Sequence, residues 1–267
     1  MIINNIMSRP FVSVITPTYN RRKFLPILIH LYQQQTYPAD RRELVIFDDS
    51  PESNIDLIPK NDKSIKYHYQ KEKITLGEKR NKLNEMAKGD ILICFDDDDY
   101  HHPERIAHSV FKLSKDKALI AGCSKLSIYY VDINKIYSFG PFGQNHGTNG
   151  SFAYRKEYLK THKHDSTKNA QEEPSFTNDF KEKMAQLDDS KIILCISHSS
   201  NTFDKKFLLK QDKTEHNFKI QKIIKDKVYL EFLKKLTEDI KSDANEKVKN
   251  DILKQIEDCI FNMKLDL

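Results

Sequence analysis

Apolar positions in the first half of the chain alternate between two periods. "FVSVI" (11–15), "ELVIF" (43–47), "IKYHYQ" (65–70) and "DILICF" (90–95) are short runs rich in β-branched and aromatic residues, which predicts four strands. Between the first two, "RRKFLPILIHLYQQQ" (21–35) sets Phe24, Leu28 and Leu31 at helical spacing, with Pro26 acceptable only in the first turn. "GEKRNKLNEMAKG" (77–89) predicts a second helix with Leu83, Met86 and Ala87 inward, and a third helix begins at Pro103, a favoured first helical residue. Strands alternating with helices predict a mostly parallel, doubly wound sheet. Right-handed crossovers then place the first and fourth strands side by side, and ligands bind outside the carboxyl ends of strands where their order reverses. Three polar segments, "TPTYNR" (16–21), "DDSPES" (48–53) and "DDDDY" (96–100), follow three of the strands and are expected to converge on that crevice.

The second half is less regular. Strand-like runs fall at 117–122, 126–131, 135–139 and 190–197. Of the seven glycines, four (Gly140, Gly143, Gly147 and Gly150) sit in "GPFGQNHGTNG", which predicts a loop shaped for close approach to a ligand. From Phe218 onward the pattern turns helical and rich in Lys and Glu. Val228, Phe232, Leu236 and Ile240 form one stripe, and Ile252, Ile256, Ile260 and Met263 a second. Such stripes pack within the chain or form a homodimer face.

Composition narrows the class. With 267 residues, 38% hydrophobic and 31% charged, the chain has a globular profile rather than a disordered one. The net charge of +5 reflects lysines concentrated after position 205, so no nucleic-acid partner is expected. Cys94, Cys123, Cys195 and Cys259 are far apart and form no CxxC site, which suits buried free thiols in a reducing compartment. The start lacks a signal-peptide pattern and no apolar run approaches 18 residues, so the expectation is a cytoplasmic chain without a membrane span.

The chemistry centres on Asp96, Asp97, Asp98 and Asp99, set against the apolar run "ILICF". Like charges about 5 Å apart repel by roughly 3 kcal/mol at an effective dielectric near 20, so a bare cluster there is costly. In an extended segment Asp96 and Asp98 would share one side and Asp97 and Asp99 the other. Two carboxylates so placed hold a hard divalent cation bridging to phosphate oxygens; the alternatives are a solvated acidic turn or a structural calcium loop. No GxGxxG follows the first strand, and neither GxxxxGK[ST] nor GxSxG occurs, so nicotinamide binding, P-loop chemistry and the nucleophile-elbow hydrolases lose ground.

At these residues a resemblance emerges. "VSVITPTYNRRKFLPILIHLYQQQTYP", "LVIFDDSPES" and "GEKRNKLNEMAKGDILICFDDDDYHHPERI" resemble the GT-A glycosyltransferases of the family-2 type, in order and spacing, over residues 10 to 110. A looser match runs through "NGSFAYRKEYL", "QEEPSFTNDF" and "SHSSNTFDK" to about residue 205. The resemblance implies an α/β GT-A fold, a Rossmann-like, mostly parallel sheet flanked by helices, with a nucleotide-sugar-binding half over 1–125, an acceptor-binding half over 126–204 and a helical C-terminal extension over 205–267. Carried over by position, it implies that Thr16, Pro17, Tyr19 and Asn20 line a nucleotide pocket, with Tyr19 near uracil. Asp49, with Asp48, would accept from the base, and Arg80 would support it. Asp96 and Asp98 fill the family's D-x-D positions, with Asp96 near ribose and Asp97 beside it. Asp98 and His198, with Asp96, would hold Mn²⁺ or Mg²⁺, the histidine favouring manganese; His198 also fits a hydrogen-bonded core residue. Glu172 and Glu173 stand where many members have Glu-Asp, the acid that activates the acceptor hydroxyl. Which of the two acts is open, and Asp179 is a further candidate. His146, Asn149 and Gly150 of the glycine-rich loop would face the acceptor, His101 and His102 are expected to be exposed, and Tyr129 and Tyr130 to pack.

A finer likeness, through "AQEEPSFTNDF", "SHSSNTFDKK" and a Lys/Asn/Ile-heavy, Trp-free composition, is to giant-virus glycosyltransferases that glucosylate collagen. It implies UDP-glucose as donor, galactosyl-hydroxylysine as acceptor, and retention where most family-2 enzymes invert. The rivals are transfer to another glycan or to a lipid, a nucleotidyltransferase on a similar sheet, and a non-catalytic carbohydrate-binding protein of the same fold.

Overall fold

A computed structural model describes residues 9–242. Twelve strands appear in chain order: β1 (Val12–Thr18), β2 (Arg42–Asp48), β3 (Ile65–Tyr69), β4 (Ile91–Cys94), β5 (Tyr100–His101), β6 (Ile120–Gly122), β7 (Leu126–Tyr130), β8 (Lys135–Phe139), β9 (Ala153–Arg155), β10 (Ala185–Gln186), β11 (Ile193–Ser197) and β12 (Thr214–His216). Helices α1 (Leu25–Gln33), α2 (Leu76–Met86), α3 (Arg105–Lys115) and the short α4 (Glu173–Phe176) are joined by α5, which runs from 227 to 242, where the described residues end.

Seven strands form one sheet in the order β10-β6-β9-β4-β1-β2-β3. All seven residues of β1 are buried, because α1 and α2 cover opposite faces of a strand whose neighbours β2 and β4 both run parallel to it. The first and fourth strands are therefore adjacent, as expected. β9 returns antiparallel between β4 and β6, so the sheet is mostly parallel with one reversed strand. A second sheet, β12-β8-β7-β11-β5, stands beside it, and its β5–β11 pair (Leu194 opposite Tyr100) joins the segment after the aspartates to the segment before His198. Pro26 lies in the first turn of α1, and Thr75 caps α2 by accepting from the Glu78 amide at 3.2 Å.

Several expectations are corrected. The aspartate run is a turn from Asp97, not an extended segment, so its side chains do not alternate. α5 starts at 227 rather than near Phe218, and it buries Tyr229, Leu233 and Leu236, while Val228 is 55% exposed. The inward face is rotated by one residue because Tyr229 meets Tyr100 edge-on at 5.0 Å. The first stripe thus packs within the chain through Leu236, with Phe232 and Ile240 at its margin; the second, Ile252 to Met263, lies outside the described residues, as does Cys259. Cys94, Cys123 and Cys195 are buried free thiols. No helix among the described residues is long and apolar enough to cross a membrane.

Candidate active site

A crevice of about 620 Å³ opens at the carboxyl ends of β1 and β4, lined by Pro17 and Thr18 at the end of β1, by Tyr19 and Arg21 after it, and by Asp96, Asp97 and Asp98 after β4. The start of α2 (Lys73 to Arg80) and the stretch Asn201 to Lys205 complete its walls. "DDSPES" does not line it directly, so two of the three polar segments converge as expected and the third acts from behind.

The repulsion among the aspartates is met by the chain's own cations. Arg80 Nη2 lies 3.4 Å from Asp96 Oδ1, Arg21 lies 3.9 Å from Asp97 and 3.4 Å from Asp98, and Lys205 Nζ lies 3.1 Å from Asp99 Oδ1. Compensation is uneven. Asp97, buried beside Asp98, is pushed up to about 8 despite Arg21 and a 2.5 Å hydrogen bond from Thr18 Oγ1. Burial also raises Asp99, to about 6. Burial alone would raise Asp98 too, but Lys205, the His198 hydrogen bond and Arg21 together hold it well below the usual carboxylate range. The turn keeps a fixed anion at Asp98.

Beneath the turn lies a buried pair. Arg105, fully buried, donates to the carbonyls of Cys94 and Gly150 and to His101 Nδ1 at 2.6 Å, while His101 Nε2 donates to the Asp96 carbonyl at 2.8 Å. With one ring nitrogen accepting and the other donating, His101 must be neutral, and burial pushes its pKa well below the ordinary value. The expectation of an exposed His101 is therefore corrected: its ring stacks on Phe95 at 3.9 Å and carries the aspartate turn.

The expected nucleotide residues divide by position. Pro17, Tyr19, Arg80, Asp96 and Asp97 face the crevice. Tyr19 is half-buried with Lys73 Nζ 3.9 Å from its ring centroid. Thr16 is fully buried and its hydroxyl has no partner. Asn20 is exposed at φ 55°, its amide donating to Ser50 Oγ at 2.7 Å. Asp48 does not reach the crevice. Its Oδ1 accepts from the Ser50 amide at 2.9 Å and its Oδ2 from Asn54 at 2.8 Å and Tyr67 at 2.6 Å, so it ties the loop behind the wall. Asp49 is buried against Lys79 and accepts from the Ile74 amide at 3.0 Å, which fixes the lysine on the wall.

On the opposite side of the aspartates, His198 Nε2 lies 3.3 Å from Asp98 Oδ2, and Asn201 Nδ2 bonds both, at 3.0 Å each. His198 stacks on Phe24 at 4.9 Å, and burial lowers its pKa, keeping it neutral near pH 7. A fixed carboxylate beside a neutral imidazole is a donor pair that Mn²⁺ or Mg²⁺ accepts, so these residues fit a divalent cation. Asp96 stands apart, with Oδ1 toward Arg80 and Oδ2 over Gly150, where an added Cβ would come within 2.5 Å of it. Among the described residues no three His, Cys, Asp or Glu side chains converge as a metal cluster. The expected trio of Asp96, Asp98 and His198 thus reduces to a pair, and an ion there needs oxygens from a ligand or water.

Arg80 links this region to the expected acceptor side. Buried at the crevice wall, its Nε donates to Glu172 Oε1 at 2.6 Å while Nη2 faces Asp96. Asn149 bridges the two glutamates: its side chain bonds Glu172 at 3.3 Å and its amide bonds Glu173 Oε1 at 3.2 Å. Glu172 is sealed at 3% exposure; Glu173 is partly exposed, and burial together with Glu172 raises its pKa. Asp179 is exposed and paired with Lys181 at 3.5 Å, away from this group. Gly150 serves as the gap under Asp96, and His146 lies within the same loop, its ring on Phe180.

Sequence reasoning missed Arg21, Lys79, Asn201 and Arg105. Arg21 had a signal, since it belongs to "TPTYNR", and "PERI" held Arg105 four residues after His101. Lys205 was one of several tail lysines without distinction; its burial against Asp99 and the Ile196 carbonyl, at 2.8 Å, sets it apart.

A family model for glycosyl transferase family 2 matches residues 13–170, more than half of the chain. A dolichyl N-acetyl-alpha-D-glucosaminyl phosphate 3-beta-D-2,3-diacetamido-2,3-dideoxy-beta-D-glucuronosyltransferase from Methanococcus voltae is 29% identical over 136 residues, covering 47% of this chain, and the chain spans only 40% of that relative's length. Staphylococcus aureus TarS 1–349 in complex with UDP-GlcNAc superposes with a TM-score of 0.58 at 18% identity, over 72% of this chain and 60% of that one. The mannosyltransferase PcManGT from Pyrobaculum calidifontis, in complex with GDP-Man and Mn²⁺, gives 0.57 at 16% identity, over 74% and 60%. These two likenesses concern the fold. With the α/β sheet, the crevice at its switch point and the family match over the residues that build it, the chain belongs to glycosyl transferase family 2.

Proposed function

We propose that this chain transfers a hexose from a UDP-sugar, with UDP-glucose the first candidate, to a hydroxyl of a glycan acceptor, in a reaction assisted by Mn²⁺ or Mg²⁺. The observation that carries the reading is the cluster of Asp98, Asn201 and His198 at the wall of the crevice: Asp98 and Asn201 line space sized for a nucleotide sugar, and the buried imidazole of His198 lies behind them, 3.3 Å from Asp98. Asp98 and His198 would hold the ion, which supplies charge neutralisation for a departing diphosphate. Tyr19, under Lys73, offers a face for the base, and Lys79, fixed by Asp49, adds positive charge on the same wall.

Glu173 is the group placed to take a proton. Burial and the neighbouring Glu172 raise its pKa, which makes it the stronger base of the two, whereas Glu172 is held by Arg80 and Asn149 as an anchor. Removal of the acceptor hydroxyl proton by Glu173 lets that oxygen form a bond to the anomeric carbon while the bond to UDP breaks and UDP leaves with the electron pair. This route inverts the anomeric centre and so departs from the retention that the likeness to collagen glucosyltransferases implies; only the acceptor is taken from that likeness. The likeness to giant-virus collagen glucosyltransferases makes galactosyl-hydroxylysine the first acceptor to try.

The test mixes the purified chain with a panel of UDP- and GDP-sugars, with Mn²⁺, Mg²⁺ or a chelator, and with or without a galactosylated collagen peptide. Metal-dependent UDP release from one sugar, stimulated by acceptor, is the expected result. Release from GDP-sugars alone would replace the donor. Binding without release from any sugar would establish the carbohydrate-binding alternative in its place.

A further inference from the structure

A second cavity, of about 660 Å³, opens on the five-stranded sheet, and among the described residues it shares no wall with the crevice. Tyr100 of β5, Ile136 of β8 and Leu194 of β11 form its apolar side, all of them buried, and Phe218 and Ile223 from the stretch before α5 add to it. Close-packed interiors hold few voids larger than a water molecule, whereas a volume of this order is that of a small-molecule site. The exposed residues around the cavity are Lys125, Asp188, Ser190, Lys222 and Lys225, all of them charged or hydroxylic. Such a rim suits entry from water rather than from a bilayer.

The polar groups of the cavity divide into answered acids and unanswered donors. Asp189 is paired with Lys125 at 3.1 Å and accepts from Ser127 Oγ at 3.3 Å, and Asp188 Oδ1 accepts from the Ser190 amide at 3.0 Å and from its hydroxyl at 2.7 Å. The Tyr100 hydroxyl, by contrast, has no partner among the described residues, although the side chain is only 4% exposed. Burial, with Asp226 nearby, pushes its pKa up to about 12, so it remains a donor. His102 accepts from the Glu104 amide through Nδ1 at 3.1 Å, and burial lowers its pKa, so the neutral ring carries its proton on Nε2, which has no partner among the described residues. Lys222 and Lys225 have no carboxylate within ion-pairing distance among the described residues. Lys222 Nζ stands 5.0 Å from the Phe218 ring centroid, and Lys225 Nζ donates only to the Gln221 carbonyl, at 2.8 Å.

An apolar wall beside two unanswered ammonium groups and two free neutral donors calls for an anion with an apolar body. No arginine lines the cavity. Planar carboxylates are best held by the fork of a guanidinium, whereas lysines act as point charges that suit the tetrahedral phosphate group. A phosphate monoester carries a charge of about −1.5 to −2 at neutral pH, which matches two lysines. Core packing explains why Tyr100, Ile136 and Leu194 are buried, since all three belong to one apolar cluster. It does not explain donors left without acceptors beside that cluster.

We infer that this cavity is a second binding site and that its ligand is a soluble phosphate monoester with an apolar body, the phosphate held by Lys222, Lys225, Tyr100 and His102 and the body by Ile136 and Leu194. The site is separate from the crevice and stands whether or not the crevice transfers a sugar.

The test titrates the whole chain calorimetrically with octyl phosphate below its micelle concentration, with octan-1-ol and with inorganic phosphate, each in the presence and absence of UDP and Mn²⁺. The variants are Lys222→Ala with Lys225→Ala, Tyr100→Phe, and Lys73→Ala as the control in the crevice. The two lysines are exposed, so their loss leaves the fold intact, which an unchanged Tm verifies. The expected result is that octyl phosphate binds one to one, about tenfold or more tightly than either octan-1-ol or phosphate. The double lysine variant should weaken it about tenfold and Tyr100→Phe about fivefold, the scale of one hydrogen bond, while Lys73→Ala and UDP leave it within twofold. Absence of octyl phosphate binding overturns the inference, as does affinity unchanged in the double lysine variant. Equal affinity for octan-1-ol removes the anion site, and equal affinity for inorganic phosphate removes the apolar one; either result overturns it as well. Binding that UDP or Lys73→Ala abolishes would move the ligand to the crevice and refute a second site.

Discussion

The aspartate turn, Asp96 to Asp99, and the segment Gln171 to Phe180 meet through Arg80 but are stabilised by opposite means. The turn concentrates charge, and it is held by buried partners drawn from four parts of the chain: Arg21, Arg80, His198 and Lys205. The segment Gln171 to Phe180 has three acidic side chains, Glu172, Glu173 and Asp179, but its distinguishing cost is in the backbone: four non-glycine residues, Gln171, Asn178, Asp179 and Phe180, stand at positive φ on the two flanks of one helical turn. Electrostatic cost is offset by distant residues; backbone cost is carried locally. A carboxylate that must stay ionised needs partners that packing can supply, whereas a ring that must face a given way needs its own backbone bent.

Breaking the turn at its fixed anion has the largest expected effect. Asp98→Asn should lower transfer by about a thousandfold, a loss of several kcal/mol of charge stabilisation, and remove the response to metal while the circular dichroism spectrum stays native; full activity would refute the metal assignment. Arg80 is the joint between the two regions, and Arg80→Met leaves Glu172 buried without its cation, so denaturant unfolding should show a loss of about 3–5 kcal/mol. Adding Glu172→Leu should recover most of that stability but not transfer, which separates fold from function. The next effect is a pH response. Burial, aided by Arg80, holds His164 well below 6.5 in the fold, so the unfolded chain takes up this proton first as pH falls. Its contribution is intact above about pH 6.5 and is lost beneath it, by about 1 kcal/mol for each further unit until the folded-state pKa is reached. His164→Gln should flatten the fall in Tm between pH 7 and 5.5. The smallest effect sharpens the backbone side: Asp179→Gly should raise stability by less than about 1 kcal/mol, because glycine meets φ 54° without strain. A drop in Tm there would mean that the segment is not strained.

This difference also explains what the sequence made legible. β1 to β4, β6 to β8, β11, α1 to α3 and the adjacency of β1 and β4 follow from local patterns of apolar residues, whereas the short strands β5, β9, β10 and β12 left no such pattern; the polar segments lining the crevice at β1 and β4 could be named from the same patterns. Which cation answers which aspartate could not, because Lys205 and Asp99 are 106 positions apart and nothing local distinguishes Lys205 from its neighbours. His101 was misplaced because its burial depends on Arg105 and Phe95 closing around it, a tertiary fact. Alternation failed at Asp97 since the run leaves extended geometry there, and the α5 face was rotated by the docking of Tyr229. The positive-φ segment left the faintest trace: Asn178 and Asp179 tolerate such angles, but nothing announces that Phe180 shares them.

The separation between the aspartates and their partners bears on how the chain is made. At about 5–20 residues per second, roughly 5–20 s pass between synthesis of Asp99 and of Lys205. In that interval β4 also waits for β9 to cover its open edge. A nascent chain paused there would present an acidic turn beside a wholly apolar strand with one edge open. Residues up to about 125 are therefore a poor candidate for expression by themselves, and the segment that supplies β9 and Lys205 is what brings them to rest.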